Sequence, residues 1–327
     1  MRPFAALRAA RSAGSRSGAH PRARFCPRSG ARSHARSGTR SDARSPAAPG
    51  ARRSRRSRTA GTAVAIAVVL VPLSGVSGGA SRTAAPAHTA VEPVAPPEFT
   101  TLRSVDPTIR QEMRYATPHT FLGVPVTGYR EPVCLLTRSA AAALHRAQAR
   151  LLRQGYSLKV YDCYRPQRAV DHFVRWAKDP ADQRMKREFY PRVGKERLFE
   201  DGYIAERSGH SRGSTVDVTL VRLPARPARP YVPGERLVPC YAGREERFPD
   251  NSLDMGTGFD CFDTLAHTDD PRVRGARRAN RDRLRAALEA QGFVNLPEEW
   301  WHFTYRPESF PDRYFDFPVA RRSVAGD

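Results

Sequence analysis

Apolar residues recur with the spacing of an α-helix in three segments of the chain. Residues 136–155 (LTRSAAAALHRAQARLLRQG) combine helix-forming residues with an apolar stripe and end on Gly155, a helix-stop signal. The same spacing resumes in RPQRAVDHFVRWAKD and again in RRANRDRLRAALEAQGF, which ends near Gly292. The pattern therefore predicts three amphipathic helices.

Three other segments have the composition or the two-residue period of β-strands: SLKVYDCY, STVDVTLVRL and EEWWHFTY. Helices and strands mix without a regular βαβ repeat. The pattern therefore predicts an α+β fold, with a central antiparallel sheet flanked by helices. We expect residues 99–327 to form a single domain, long enough to enclose one core.

The first 58 residues differ in composition from the rest of the chain. They contain sixteen arginines and one acidic residue, Asp42, among mostly Ala, Ser, Gly and Pro. This composition predicts a basic disordered leader over residues 1–58. The leader carries +15 of the formal net charge of +22, which leaves +7 for all later residues. Because the basic residues neither cluster with aromatic residues nor form a nucleic-acid reading motif, we expect no nucleic-acid partner.

A short uncharged apolar run, AGTAVAIAVVLVPLSGV, comes directly after the basic run RRSRRSR. This order is typical of a secretory signal. We predict a signal segment and cleavage region over residues 59–80, cleavage near Ala80 or Ala87, a linker over residues 81–98, and a secreted or extracytoplasmic location. The alternative is an uncleaved signal that anchors the protein to the membrane. The run is too short for a stable span, which needs about 20 apolar residues.

The cysteines fit export. Cys26 lies in the leader, and the four others form an even set: Cys134, Cys163, Cys240 and Cys261. Two disulfides suit an oxidising compartment. Three pairings are open, and Cys134–Cys163 with Cys240–Cys261 is favoured because each closes a short loop. Four buried thiols are the alternative.

The stretch RSGHSRGSTVDVTL, residues 207–220, places His210 seven residues before Asp217. On a perfect strand this odd spacing would point the two side chains to opposite faces. A turn between Gly209 and Gly213 is therefore needed if both are to reach one site. A hydrogen-bonded histidine and an unrelated strand aspartate would explain this pair equally well.

The stretch EEWWHF adds His302, with Glu299 three residues before it. Two imidazoles and a carboxylate suit zinc and leave a fourth position for water. A further carboxylate can take the proton of that water. We expect the adjacent pair Trp300 and Trp301 to keep the site dry.

Arg165 follows a predicted strand in VYDCYRPQRAV. A guanidinium beside a zinc site can stabilise a substrate carbonyl as it becomes an oxyanion. A structural ion pair with Asp162 is the alternative role for this arginine.

Together these segments resemble the VanX-type D-alanyl-D-alanine dipeptidases, zinc enzymes within the wider group of cell-wall D,D-peptidases. The resemblance spans about Val105 to Val319. It rests on seven motifs that occur in order: MRYATPHTFLG, GYREPVCLLT, YDCYRPQRAV, SGHSRGSTVDVTL, GFDCFD, EEWWHF and YFDFPV. The resemblance implies zinc-dependent hydrolysis of the dipeptide D-Ala-D-Ala to free D-alanine.

The resemblance also implies roles for single residues. It implies that one Zn²⁺ per chain is bound by three side chains: His210, Asp217 and His302. It makes Glu299 the catalytic acid/base and Arg165 the group that stabilises the transition state. In the substrate pocket it places three further side chains: Ser208, Tyr115 and Asp260, the last opposite the ammonium group of a small dipeptide substrate.

Two features leave alternatives open. Cys163 stands where the family usually has a small residue, and a disulfide there would stiffen the loop that carries Arg165. A secreted D,D-carboxypeptidase or endopeptidase that trims peptidoglycan stems would use the same ligands. A zinc-stabilised module that associates with the cell wall without turnover is less favoured, because a structural zinc site needs neither Glu299 nor Arg165.

Overall fold

The computed structural model describes residues 92–324. Within this range the chain forms seven strands: β1 Phe99–Thr101, β2 Arg110–Gln111, β3 Leu135–Thr137, β4 Tyr156–Asp162, β5 Thr215–Arg222, β6 Phe293–Asn295 and β7 His302–Tyr305. It also forms five α-helices: α1 Leu102–Val105, α2 Arg138–Leu152, α3 Gln167–Ala177, α4 Lys186–Phe189 and α5 Ala276–Glu289. The predicted α+β class is confirmed.

The central sheet has five strands in the order β2-β4-β5-β7-β6. All neighbouring strands in it are antiparallel except β2 and β4, which run parallel. The ladder between β4 and β5 is the longest, and a bulge interrupts it between Val160 and Asp162. The strands β1 and β3 form a separate antiparallel pair. The prediction of an antiparallel central sheet is thus correct for three of its four ladders.

The long helices contribute apolar faces to the core. In α3 the buried residues Ala169, Val170, Phe173, Trp176 and Ala177 recur with helical spacing. In α2 the buried residues include four alanines and two leucines, which allow close packing against the sheet. Burial of these faces, rather than intrinsic helix propensity, supplies most of the stability of such helices.

The predicted helices are present, with their ends displaced by a few residues. The structure ends α2 before Gly155, whose φ of +78° is a conformation that glycine adopts without strain. The first residues of the segment 136–155 belong to β3 instead of the helix. The structure places a short strand, β6, directly after Gly292.

One predicted strand is largely wrong. Of the segment 298–305, only His302–Tyr305 is a strand, and the residues before it form a turn. The His302 N–H donates to the Glu299 carbonyl oxygen at 3.2 Å, which closes this turn. Glu299 therefore lies outside the sheet, at the point where β7 begins.

The turn predicted between His210 and Asp217 is present. A 3₁₀ helix covers Gly209–Arg212, and Gly213 follows with a φ of +81°. A Cβ atom on Gly213 would lie 2.3 Å from the Phe99 ring. The turn therefore requires glycine for its backbone conformation and for the space beside it.

Two disulfides join Cys134 to Cys163 and Cys240 to Cys261. This is the pairing that the loop lengths favour. The alternative of four free thiols is wrong for the structure.

The predicted leader over 1–58, the signal region over 59–80 and all but the end of the linker over 81–98 lie outside the described residues. Between residues 92 and 324 no helix combines the length and apolar character needed to cross a membrane.

Candidate metal centre and active site

The register of three neighbouring strands places two carboxylates and one imidazole side by side. Asp217 on β5 is the direct partner of His302 on β7 and, on its other side, of Asp162 on β4. Direct cross-strand partners have Cβ atoms about 4.5 to 5.5 Å apart and project on the same face. The sheet backbone thus sets the spacing of these side chains.

His210 reaches the same place from the 3₁₀ helix before β5. Its Nδ1 lies 2.7 Å from the carbonyl oxygen of Cys163. A carbonyl only accepts hydrogen bonds, so Nδ1 carries the proton and Nε2 of the neutral ring keeps a free lone pair. The buried His210 therefore presents Nε2 as a ligand atom toward Asp217.

The three candidate ligand atoms form a nearly equilateral triangle. Asp217 Oδ1 lies 3.2 Å from His210 Nε2 and 3.2 Å from His302 Nδ1, and the two nitrogens are 3.2 Å apart. Ligand atoms bound at about 2.0 to 2.1 Å by a tetrahedral zinc ion lie about 3.3 to 3.4 Å apart. Among the described residues, these three also form the group of side chains that could hold a metal ion.

Hydrogen bonding supports the same interpretation. Asp217 Oδ1 is buried and has no hydrogen-bond partner among the described residues, although two imidazole nitrogens lie near it. A buried carboxylate oxygen without a donor is costly unless a cation compensates it. The donor set, its spacing and this unpaired oxygen fit a zinc ion.

The charges around Asp217 keep it ionised. Burial alone would raise the pKa of the Asp217 carboxyl, but the neighbouring His210 and His302 imidazoles hold the pKa well below its usual range. Burial lowers the pKa of His210, whereas Asp217 outweighs burial at His302 and raises the pKa of that imidazole.

Arg165 lies beside the candidate ligands. Its Nε donates to Asp162 Oδ2 at 2.9 Å, and its Nη2 lies 3.5 Å from Asp217 Oδ2. The guanidinium carbon lies 5.0 Å from the ring centres of Tyr115 and Phe173. Arg165 therefore forms the ion pair with Asp162 and also lies beside the candidate ligands. The structural role and the role in stabilising an oxyanion do not exclude each other.

Glu299 faces the site from the turn before β7. Its Oε2 lies 3.5 Å from His302 Nδ1. Burial raises the pKa of Glu299 to about 7, against the opposing effect of His302. A carboxyl with a pKa near neutral pH can both take up and release a proton under working conditions.

A cavity of about 220 Å³ opens next to these groups. Its lining contains the predicted pocket residues Tyr115, Ser208 and Asp260. It also contains four of the five ligand and catalytic candidates: Arg165, Asp217, Glu299 and His302. The Tyr115 hydroxyl donates to Asp260 Oδ2 at 3.0 Å. Burial, together with the charges of Asp217 and Glu299, raises the pKa of Asp260 well above its usual value.

Ser208 contacts both the turn and the arginine. Its Oγ accepts from the His210 N–H at 3.3 Å and from Arg165 Nη1 at 3.5 Å. The structure thus brings together all eight side chains that the sequence singled out: Tyr115, Arg165, Ser208, His210, Asp217, Asp260, Glu299 and His302.

Two features of the site could not be predicted from the sequence. The tryptophan pair lies in the core and is absent from the described lining of this cavity, which is bounded by Phe121 and Phe173 instead. Tyr129 was missed, and its hydroxyl donates to Asp162 Oδ1 at 2.5 Å. Tyr129 lies within the motif GYREPVCLLT, but a single tyrosine gives no local signal of a partner 33 residues away.

Comparison with known proteins identifies the relatives of this site. A family model described as D-ala-D-ala dipeptidase, of peptidase family M15, matches residues 96–225 and 247–320. The chain belongs to this family. The M15 family consists of zinc-dependent peptidases, so this protein is a metallopeptidase.

The names of individual relatives agree with the family match. The chain is 42% identical over 212 residues to a D-alanyl-D-alanine dipeptidase of Streptomyces coelicolor, which covers 65% of this chain and 93% of the relative. It is 37% identical over 221 residues to one of Enterococcus faecium, covering 68% of this chain and 98% of the relative. It is 36% identical over 212 residues to one of Enterococcus faecalis, and this match covers 65% of this chain and 93% of the relative.

Proposed function

We propose that this M15 peptidase hydrolyses the dipeptide D-Ala-D-Ala to D-alanine. The observation that carries the proposal is the triangle of Asp217, His210 and His302 beside Glu299 and Arg165. The three relatives described above are all D-alanyl-D-alanine dipeptidases, which supports this choice of substrate.

We assign one zinc ion per chain to His210, Asp217 and His302. When bound, zinc supplies Lewis acidity, which polarises a carbonyl group and lowers the pKa of a coordinated water. Glu299 then has two tasks: it takes the proton of the attacking water and passes it to the leaving amine. Its raised pKa suits both.

Arg165 stabilises the negative charge that develops on the scissile carbonyl oxygen. Because its guanidinium is held by Asp162 and by the rings beside it, it needs little reorganisation during the reaction. Asp260 binds the free ammonium group of the substrate, and the Tyr115 hydroxyl orients that carboxylate. Ser208 contributes a hydroxyl at the pocket wall.

The size of the cavity supports a small substrate. At about 220 Å³ it is smaller than typical pockets for drug-sized ligands, which measure about 300 to 1,000 Å³. A dipeptide fits this scale better than a peptidoglycan stem. A secreted D,D-carboxypeptidase or endopeptidase remains the alternative outcome of the test.

The test is incubation of the purified folded domain with D-Ala-D-Ala, L-Ala-L-Ala and a stem pentapeptide, each with and without a chelator. We expect release of D-alanine from D-Ala-D-Ala alone, and its loss when the chelator is present. Cleavage of the pentapeptide as the preferred substrate would replace the proposal with the stem-trimming alternative. If hydrolysis continues unchanged in the presence of the chelator, the assignment of a metal ion to this site is wrong.

We also propose that the protein is exported, with cleavage near Ala80 or Ala87, and acts outside the cytoplasm. Two disulfides support this, because such bonds persist mainly in oxidising compartments. N-terminal sequencing of the protein recovered from culture medium or envelope tests the proposal. A protein that keeps residues 1–58 in the cytoplasm would contradict it.

A further inference from the structure

We propose that Cys240, through its disulfide with Cys261, positions Asp260 for recognition of the substrate ammonium group. Cys240 lies in residues 226–246, which the family model does not match. This segment would then act as a specificity-determining addition to the family fold. The inference rests on the proposed function, because it concerns the carboxylate assigned there to substrate binding.

Cys240 holds the chain on both sides of Asp260. The disulfide attaches to Cys261, the residue directly after Asp260, with the two Cα atoms 5.5 Å apart. Two residues before Asp260, the Gly258 N–H donates to the Cys240 carbonyl oxygen at 2.8 Å. A single residue from the unmatched segment thus fixes a stretch of four residues that contains the carboxylate.

Asp260 needs such support. Its φ is +56°, and it is the non-glycine residue with positive φ among the described residues. This conformation is uncommon for residues with a side chain and persists where the surrounding structure imposes it. Without the attachment at Cys261 the backbone of Asp260 is free to relax toward a commoner conformation, which would turn the carboxylate away from the cavity.

Cys240 is itself anchored to the core. Its N–H donates to the Glu188 carbonyl oxygen at 2.9 Å, and the Phe262 N–H donates to the Phe189 carbonyl oxygen at 2.8 Å. Both acceptors lie at the end of α4. The support of Asp260 therefore runs from the buried end of α4 through the buried residue Cys240.

The chemistry of Asp260 explains why its position matters. The side chain is only 5% exposed, lines the 220 Å³ cavity and has no ion-pair partner within 4 Å among the described residues. Its hydrogen-bond donor there is the Tyr115 hydroxyl. A buried carboxylate that lacks a cation partner gains most from a ligand that brings one.

The experiment compares two ligands that differ only at the ammonium group. The first is D-Ala-D-Ala, and the second is propanoyl-D-alanine, in which a hydrogen replaces the ammonium. In the double variant Cys240→Ser with Cys261→Ser, we expect the KM for D-Ala-D-Ala to rise about tenfold, within the range of one charge-assisted hydrogen bond. We expect the inhibition constant of propanoyl-D-alanine to change less than twofold, and kcat to fall less than KM rises.

A double-mutant cycle shows whether Cys240 acts through Asp260. Asp260→Asn alone sets the full loss of ammonium recognition. Adding Asp260→Asn to the disulfide-free protein should then give the same KM as Asp260→Asn by itself, because the two changes act on one contact. If the two increases in KM multiply when the changes are combined, the disulfide acts independently of Asp260 and the inference is wrong.

The other disulfide provides the matched control. Cys134→Ser with Cys163→Ser removes a cross-link of similar loop length that is not attached to the residues around Asp260. We expect this variant to keep the wild-type ratio between the two ligands, whatever happens to its turnover. If loss of Cys240–Cys261 shifts both ligands equally, or only lowers the melting temperature, that bond is a structural cross-link without a role in specificity.

Two further measurements keep the outcomes separate. If the double-serine variant does not fold, the wild-type enzyme can be reduced stepwise instead. Alkylation and mass spectrometry then identify which disulfide is open in each sample. We expect the KM for D-Ala-D-Ala to rise in step with the loss of Cys240–Cys261 and not with the loss of Cys134–Cys163. If the wild-type protein does not cleave D-Ala-D-Ala, the proposed function fails. Calorimetric binding of the two ligands would still decide the role of Cys240.

Discussion

Asp217 and His302 are direct cross-strand partners, and Asp217 Oδ1 lies 3.2 Å from His302 Nδ1. Their spacing is therefore fixed by the backbone ladder between β5 and β7. Sites supported by regular strands hold their geometry more tightly than sites on loops. The third candidate ligand, His210, is held by its hydrogen bond to the Cys163 carbonyl oxygen.

Replacement of Glu299 should separate turnover from metal binding. We expect Glu299→Gln to lower kcat by about 10² to 10⁴, the usual contribution of general acid/base transfer. The zinc content should stay at one ion per chain, because Glu299 is not among the three ligand candidates. Steady-state kinetics with D-Ala-D-Ala and metal analysis of the same sample measure both effects. Full activity in this variant would end the assignment of Glu299.

Replacement of Asp217 should release the metal instead. We expect Asp217→Asn to lower zinc affinity at least tenfold, because the site loses its only charged ligand candidate. The control is Thr219→Val on the same strand. Thr219 Oγ1 is buried and lacks a hydrogen-bond partner among the described residues, so this change removes no hydrogen bond between them. Competition with a chromophoric chelator measures affinity, and equal affinities in the two variants would contradict the assignment.

The geometry of Arg165 predicts that charge alone cannot replace it. We expect Arg165→Lys to lower kcat about 10² to 10³, comparable to the loss of one oxyanion donor, with a smaller effect on KM. The control Arg168→Lys changes a more exposed arginine that pairs with Asp316 on the surface. Its kcat should stay within about twofold of wild type, since the residue does not line the cavity. A lysine variant with normal turnover would remove Arg165 from the reaction.

Asp254 should contribute to stability in a pH-dependent way. Burial alone would raise its pKa, but hydrogen bonds from Arg247, the Gly256 N–H and Arg277 lower the pKa of Asp254 to about 2. A carboxyl with a lowered pKa stabilises the fold above its unfolded pKa of about 3.9, and this contribution is lost as the pH falls toward 2.

We therefore expect Asp254→Asn to reduce the free energy of unfolding by about 1 to 2 kcal/mol at pH 7. The difference from wild type should shrink as the pH falls from 4 to 2. Urea unfolding followed by circular dichroism at several pH values measures it. A difference that is constant with pH would show that the loss is unrelated to the charge of Asp254.

The ligand set could be predicted because its signals are local. The odd spacing of His210 and Asp217 required a turn, and Gly209 and Gly213 supplied it within the same motif. The period of two in β5 then determined which face Asp217 occupies. The family resemblance supplied the remaining positions, including Tyr115 and Asp260, which are far apart in sequence.

Other features depend on tertiary contacts and left no local signal. The strand β6 has only three residues, and its middle residue Val294 is 55% exposed, so its apolar pattern is weak. Lys159 is buried on β4, where Glu112 and Asp250 accept hydrogen bonds from its ammonium group at 2.8 and 2.6 Å. An isolated lysine in a strand pattern does not reveal partners that lie 47 and 91 residues away.

The register of β5 also limits how this enzyme can vary in length. Successive side chains in a strand alternate between faces, so deleting one residue between Gly213 and Asp217 would turn the aspartate to the reverse side of the sheet. Insertions are tolerated best in connecting segments, and residues 226–246 begin only after β5 has ended at Arg222. Residues can therefore be added after β5 without changing the face of the sheet on which Asp217 lies.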